Sequence, residues 1–254
     1  MTNQPLLEHL IELRTRLIYC LLAIALGFGV SWLFSEDIYA FLVRPLSTIL
    51  REKGEHQLIY TSLGEAFMMY MRLSFWSGFM LAFPFVAFQL WRFVAPGLYK
   101  HEKRLFLPFL FASPLLFFLG AALAYYFIFP LAWDFFLSFE TAAVGGTLPL
   151  HLEAKVSEYL SLVLQLIFAF GICFQLPVLL VLLIRLGILS TDRLVKSRKY
   201  VFVGAFLVGA ILTPPDVFSQ IGLAIPLYTL FEVSIWIGRF LEKREAAVAG
   251  SISL

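Results

Sequence analysis

The residues best suited to chemistry in this chain are carboxylates placed beside basic side chains. The segment Leu98–Arg104 reads Leu-Tyr-Lys-His-Glu-Lys-Arg, so Glu102 stands among two lysines, an arginine and a histidine. Glu12 precedes Arg14 and Arg16 in a second such segment. A carboxylate of this kind either balances the charge of its neighbours or accepts a cation, such as a guanidinium, from another molecule. The position of each acid in the fold has to decide between these interpretations.

Residues 5–16 have the spacing of an amphipathic helix. Leucines recur at three- and four-residue intervals on one face, while Glu8, Glu12 and Arg16 recur every four residues on another. Glu12 can therefore pair with Arg16 one helical turn later, an interaction worth about 0.3–0.5 kcal/mol. A pair this weak can be replaced by a better partner.

The composition predicts an all-α, polytopic membrane protein with one transmembrane domain, residues 1–254. The chain is 61% hydrophobic and only 14% charged, and its mean hydropathy is +0.87, whereas soluble domains carry about 25% charged residues. The amphipathic lead-in at 5–16 continues into the first of six expected transmembrane helices, and a mobile tail is expected at about 243–254. The spans are expected at about 17–34, 63–91, 106–130, 158–184, 200–213 and 220–238.

The distribution of lysine and arginine predicts the orientation. Fourteen of the nineteen basic residues fall in the segments that would be cytoplasmic if both termini were inside. This arrangement puts Glu12 and Glu102 at the same, cytoplasmic, surface. The net charge of +2 is too small to argue for nucleic acid as a partner.

The short fifth span is an anomaly in this pattern. Fourteen residues from Tyr200 to Thr213 reach only about 21 Å, against a hydrocarbon core of about 30 Å. This mismatch predicts that the bilayer thins beside the short fifth and sixth spans or that a partner helix docks there and covers the exposed ends. The alternative is an ordinary short helix buried in the bundle.

Polar residues near or within the spans need partners. Ser62 and Glu65 have the spacing of a capping box at a helix start, and Ser157 is a candidate N-cap of the fourth span. Arg72 is expected to extend toward the membrane surface or to pair within the bundle. Glu232 is interpreted as a paired structural group, with contact to another subunit as the alternative.

The sequence argues against an enzyme. No metalloprotease, nucleophile-elbow or phosphate-loop motif occurs, and all four histidines lie outside the apolar runs. Cys20 and Cys173 have no metal-ligand spacing, so neither a metal nor a cofactor is expected. A secondary transporter of a small solute stays open as the alternative function, because Gln165, Gln175 and Glu232 could line a site.

Several motifs together resemble one family. They are His9-Leu-Ile-Glu-Leu-Arg14, Phe93-Val-Ala-Pro-Gly-Leu-Tyr-Lys-His-Glu102, Phe129-Pro-Leu-Ala132, Leu212-Thr-Pro-Pro-Asp-Val-Phe-Ser-Gln220 and Leu230-Phe-Glu232. Each motif is weak alone, but in this order and at these membrane depths they resemble TatC, the multi-spanning receptor subunit of the twin-arginine protein translocase. The resemblance covers roughly residues 5–240.

The resemblance implies a function and a set of contacts. A member of this family lies in the bacterial inner membrane with both termini cytoplasmic, and binds signal peptides that carry two consecutive arginines. It self-associates and works with single-span TatA- and TatB-type subunits, and the proton-motive force drives transport. By position, the signal-peptide contacts would be Glu12, Glu102, Arg14, Arg16 and Phe93.

The resemblance also assigns one further polar set. Thr213 and Gln220 match polar positions where the partner subunits dock along the fifth and sixth spans. Independently of the resemblance, Gln165 and Gln175 are more polar than lipid exposure would favour, so they are expected to line an interior polar groove in the fourth span. Many members have a glutamate where this chain has Gln175, and an amide cannot titrate, so no protonation role is assigned to it.

Overall fold

The computed structural model describes residues 4–53, 58–94, 107–140, 154–213 and 217–252. These residues form helices joined by short connections, and the only β pairing among them is a single bridge between Ile59 and Lys155. The all-α class is therefore confirmed. The helices are α1 Gln4–Leu33, α2 Ser35–Lys53, α3 Glu65–Val94, α4 Leu107–Leu123, α5 Phe129–Leu137, α6 Val156–Cys173, α7 Leu176–Arg185, α8 Thr191–Leu212 and α9 Val217–Ile252.

Five of the described helical stretches are long and apolar enough to cross a membrane. They are His9–Leu33, Glu65–Phe93, Pro108–Leu137, Val156–Arg185 and Val217–Lys243. The short fifth run of the sequence forms the second half of α8, whose first half carries Asp192, Arg193, Lys196, Arg198 and Lys199. Because the apolar part is so short, α8 as a whole falls outside this set. The chain is a multi-pass membrane protein.

Helix α2 is longer than the sequence predicts. A loop with a short surface helix at 36–43 is expected from its polar composition, but a helix of 19 residues forms. Leu42 and Leu46, one turn apart, are 5% and 1% exposed, so the helix is stabilised by one buried stripe that its polar residues obscure. The hydroxyl of Tyr159 also donates to the Leu42 carbonyl at 2.7 Å.

The third and fourth spans differ from expectation at prolines. The third does not end at Pro130 but continues to Leu137, and a π-helical turn at Ala124–Ile128 ends two residues before that proline. A proline lacks the N–H that an uninterrupted α-helix needs, and a π turn accommodates the loss. The fourth span is likewise interrupted at Phe174 and Gln175, before Pro177.

The chain divides into two compact units, of which the first comprises residues 1–115 and 136–164. Helices α1 and α3 cross in this unit at Gly27 and Gly78, with their backbones in contact. A Cβ added at Gly27 would collide with the Gly78 carbonyl, and one added at Gly78 would collide with the Phe28 backbone. A Cβ at Gly29, by contrast, would meet nothing within 4 Å.

The second unit comprises residues 116–135 and 165–254. Its core includes Phe231 and Ile235 of α9, packed against Ile184 of α7 and Leu194 of α8. Glu242 of α9 accepts hydrogen bonds from the backbone N–H of Thr191, at 3.1 Å, and from its hydroxyl. An acid at this position satisfies an otherwise unpaired N–H at the start of α8 and interacts favourably with the helix dipole. The tail expected to be mobile from residue 243 continues α9 as far as Ile252, and its mobility stays a prediction.

Glu232 of α9 forms an ion pair with α8. Its Oε2 accepts from Nη2 of Arg198 at 2.6 Å, and its Oε1 accepts from the hydroxyl of Tyr228 at 3.0 Å. The structure thus gives Glu232 the paired role that is one of its two interpretations.

We expect Glu232→Ala to destabilise the protein, because it leaves the half-buried Arg198 guanidinium without its carboxylate. The cost should be about 1–3 kcal/mol, between the values for exposed and fully buried pairs. Thermal unfolding of the purified protein in detergent measures it. Glu158→Ala is the matched control, since the Lys155–Glu158 pair is 4.0 Å long and the Glu158 side chain is 77% exposed. Equal stability of the two variants would contradict this prediction.

Candidate functional site

A polar cluster lies where the first turns of α1 meet the last turns of α3. The Arg16 guanidinium donates from Nε to Oε1 of Glu12 at 3.0 Å, and its Nη2 donates to the same oxygen. Its Nη1 donates to the side-chain oxygen of Gln89 on α3 at 3.2 Å. The Arg16 side chain is 14% exposed and that of Glu12 is 32% exposed. The carboxylate is therefore the more accessible member of the pair.

An aromatic contact extends the same cluster. The His9 imidazole stacks on the Phe93 ring, with the ring centroids 4.2 Å apart and the planes 14° from parallel. On α1, His9, Glu12 and Arg16 follow one another at intervals of three and four residues, and on α3 Gln89 and Phe93 are four apart. Each set therefore shares one helix face, and the two faces meet.

Gln89 is the member that sequence reasoning missed. Its side chain is buried, at 7% exposure, and it orients Arg16 through the hydrogen bond described above. The sequence signal was an amide within the apolar run Val86–Leu90, since a polar group inside a span requires a partner. The same signal drew attention to Gln165 and Gln175 but not to Gln89.

The remaining predicted signal-peptide contacts divide into two cases. Arg14 lies on α1 as an exposed side chain, two residues from Glu12 and hence on a different face. Glu102, with Lys100, His101, Lys103 and Arg104, lies outside the described residues. The convergence of Glu12 and Glu102 therefore stays a prediction.

Thr213 and Gln220 lie where α8 and α9 meet. The Gln220 amide donates to the Phe206 carbonyl at 3.0 Å, and the Thr213 hydroxyl donates to the Gly209 carbonyl at 2.9 Å. A Cβ added at Gly209 would stand 3.1 Å from the Gln220 carbonyl oxygen. Both polar side chains are thus bonded to the backbone of α8.

The two glutamines of the fourth span occupy different environments. Gln165 is exposed, and its amide donates to the Leu212 carbonyl at the end of α8 at 3.1 Å. Gln175 is half-buried at the interruption before α7. Gln165 thereby satisfies a helix-terminal carbonyl that would otherwise lack an intrahelical partner.

At the start of α3, the predicted capping contact is confirmed. Oε2 of Glu65 accepts from the backbone N–H groups of Thr61 and Ser62 at 2.7 and 3.3 Å. The capping role predicted for Ser157 is wrong. Ser157 is the second residue of α6, and its hydroxyl donates to Oε1 of Glu65 rather than to its own helix. The backbone before it is held by Ile59, which donates to the Ala154 carbonyl and accepts from the Val156 N–H.

Metal binding finds no support in the part of the chain that the structure describes. No three His, Cys, Asp or Glu residues within it are grouped so that they could hold an ion. The chemistry of the α1–α3 cluster is instead that of a carboxylate holding a guanidinium, with an amide as a second acceptor.

Comparison with known proteins identifies the family. The profile described as "TatC: Sec-independent protein translocase protein (TatC)" matches residues 8–226. The chain belongs to the TatC family. A "Sec-independent protein translocase protein TatC" from Magnetococcus marinus is 51% identical over 242 residues, which are 95% of this chain and 86% of that protein. The protein of the same name from Escherichia coli is 44% identical over 94% of this chain and 89% of its own length.

Solved structures agree with this membership. "Crystal Structure of Twin Arginine Translocase Receptor- TatC" superposes with a TM-score of 0.76 at 40% identity and covers 91% of this chain and 98% of that one. A second structure of a TatC receptor, in the detergent DDM, gives a TM-score of 0.77 at 41% identity. The TatC fold therefore extends over nearly the whole chain, and the chain is a protein-translocase component.

Proposed function

We propose that this TatC chain is the receptor that binds twin-arginine signal peptides of folded precursor proteins at the cytoplasmic face of the bacterial inner membrane. Both termini would be cytoplasmic, as the excess of lysine and arginine in the inner segments indicates. One observation carries the proposal: Glu12 already holds a guanidinium, that of Arg16, in an accessible position.

Binding would proceed by exchange of one arginine for another. An arginine of the signal peptide takes the Glu12 carboxylate from Arg16, and Arg16 keeps its hydrogen bond to Gln89. The exchange costs little free energy, because the Glu12–Arg16 pair is a weak i,i+4 pair on one helix and Arg16 keeps Gln89 as an acceptor. The second arginine would pair with Glu102. Arginine suits this exchange better than lysine, since its planar fork bonds a carboxylate through two N–H groups.

The arginines account for specificity more than for affinity. Two charge-assisted pairs contribute roughly 3–6 kcal/mol, whereas micromolar binding needs about 8 kcal/mol. The apolar part of the signal peptide has to supply the difference by packing against the helices, with the amides of Gln165 and Gln175 lining its groove. His9 and Phe93, stacked beside Glu12, offer an aromatic surface to residues that flank the arginines. Arg14 would contact the signal peptide from a different face of α1.

The chain would organise a translocation site with other subunits. TatA- and TatB-type single-span subunits would dock along the fifth and sixth spans near Thr213 and Gln220, and copies of the chain would associate with one another. The bonds of both side chains to α8 support a role in shaping that surface. No catalytic step is proposed, and the proton-motive force would drive transport.

The test is competition between two signal peptides for the protein in membrane vesicles. A peptide with two arginines and a photoreactive group should crosslink to the chain, and an excess of the same peptide should compete. The matched peptide with two lysines should compete at least tenfold less well, since it cannot form the forked bonds. Equal competition by the two peptides would refute the proposal.

A further inference from the structure

A cavity of about 460 Å³ lies in the first unit where α3 and α6 begin. It is far along α3 from the cluster that contains Glu12, and the function proposed above does not use it. Glu65 and Arg72 of α3 both line it, together with Met68, Ser161 and Leu164. The cavity thus combines an acid, a base and an apolar wall.

Glu65 has one carboxylate oxygen with spare capacity. Its Oε2 accepts from the Thr61 and Ser62 N–H groups and from the Thr61 hydroxyl, the last at 3.2 Å. Its Oε1 accepts only from the Ser157 hydroxyl among the described contacts. Each carboxylate oxygen offers about two lone-pair sites. Oε1 can therefore accept one further hydrogen bond, and these contacts hold the acid in place.

Arg72 is a charge inside a membrane span. No residue that the structure describes forms an ion pair with it, and its side chain is exposed. A charged side chain on a transmembrane helix has to reach the interface or pair with an opposite charge. The span Glu65–Phe93 has 29 residues, or about 43 Å, so its ends reach the headgroup layers on either side of a hydrocarbon core of about 30 Å.

The depth of Arg72 matches a lipid phosphate. Its Cα lies seven residues from the start of α3, about 10 Å along the helix axis, close to the edge of the hydrocarbon core. Side chains on a helix point back toward its N-terminus, which directs the guanidinium toward the headgroup layer and toward Glu65. Seven residues are two turns, so both charges share one face of α3.

We propose that this cavity binds the headgroup of a zwitterionic phospholipid that carries a primary amine. The phosphodiester pairs with Arg72 and the ammonium donates to Oε1 of Glu65, while an acyl chain runs along Met68 and Leu164. An anionic lipid without an amine meets the like charge of Glu65, and a quaternary amine has no N–H to donate. The positions of Arg72 and Glu65 in the cavity therefore favour a lipid with both a phosphate and a primary amine. In the proposed orientation the site faces the outer leaflet.

Lipid binding by the full-length protein tests the proposal. The protein, purified in detergent, is titrated separately with phosphatidylethanolamine, phosphatidylglycerol and phosphatidylcholine of identical acyl chains, and bound lipids are counted by native mass spectrometry. We expect the wild type to prefer phosphatidylethanolamine. Arg72→Gln should weaken its binding about tenfold, the loss of one charge-assisted pair. Glu65→Gln keeps an acceptor for the capping contacts and should remove the preference over phosphatidylglycerol.

Two further variants separate the site from general effects. Arg92→Gln removes another exposed guanidinium from the opposite end of the same helix and should bind as the wild type does. Arg72→Lys keeps the charge and should retain most of the binding. Equal binding of the three lipids by the wild type, unchanged binding by Arg72→Gln or by Glu65→Gln, or equal losses with lysine and glutamine at position 72 would each overturn the proposal.

Discussion

Gly27→Leu should prevent α1 from packing against α3 and should abolish signal-peptide binding with it. The two backbones touch at Gly27 and Gly78, so a side chain here can be accommodated only if the helices separate. Overpacking at a flexible site costs about 1–3 kcal/mol, and a clash with backbone that cannot rotate away belongs at or above the top of this range. Because the same crossing holds Arg16 against Gln89 and His9 against Phe93, the binding cluster should be lost as well.

The control for this experiment lies two residues further along α1. Gly29→Leu makes the same chemical change at a position where an added Cβ meets nothing within 4 Å, and its side chain should enter lipid. Thermal unfolding in detergent and peptide crosslinking in vesicles measure the two effects. If the Gly27 and Gly29 variants behaved alike, the close backbone crossing would be excluded as the basis of the α1–α3 contact.

Glu12→Ala should weaken binding of a twin-arginine peptide by about 10- to 100-fold, the value of one charge-assisted pair. The protein should still fold, since the lost pair with Arg16 is weak and Arg16 retains Gln89. Glu12→Asp keeps the charge on a shorter arm and should bind better than the alanine variant. Peptide crosslinking to protein in membrane vesicles measures the series.

Glu102→Ala should act in the same direction as Glu12→Ala, and Glu102→Asp should again be milder. Glu158→Ala serves as the control, because Glu158 is an exposed acid on α6 and is not one of the proposed signal-peptide contacts. If Glu12→Ala and Glu102→Ala both bound the twin-arginine peptide as the wild type does, neither carboxylate would be the acceptor for its arginines. That result would reject the proposed site.

Much of the helical framework follows from periodicity alone. The lead-in is continuous with the first span, as its leucine spacing predicts, and the Ser62–Glu65 spacing marks the start of α3. The full length of α2 was not predicted, because its stability comes from the burial of Leu42 and Leu46 against other helices. The local sequence pattern does not show this burial. The π turn escaped because Pro130 alone does not reveal whether a helix ends or continues past it.

The sequence predicts the charged residues of the site, but not the residue that orients them. Glu12 and Arg16 are four apart, so their pairing follows from helix geometry. Gln89 is 73 residues from Arg16 along the chain, and its contact depends on the crossing of α1 and α3. Ser157 shows the same limit: its hydroxyl serves an acid 92 residues away rather than its own helix.

The bond between Glu242 and Thr191 ties an acid of α9 to the first residue of α8. The side chain of Glu242 therefore joins α8 and α9 at the end of this helical hairpin that is opposite its turn. A truncated chain that ends at residue 242 keeps the acid that bonds Thr191, whereas a chain that ends at residue 241 loses it.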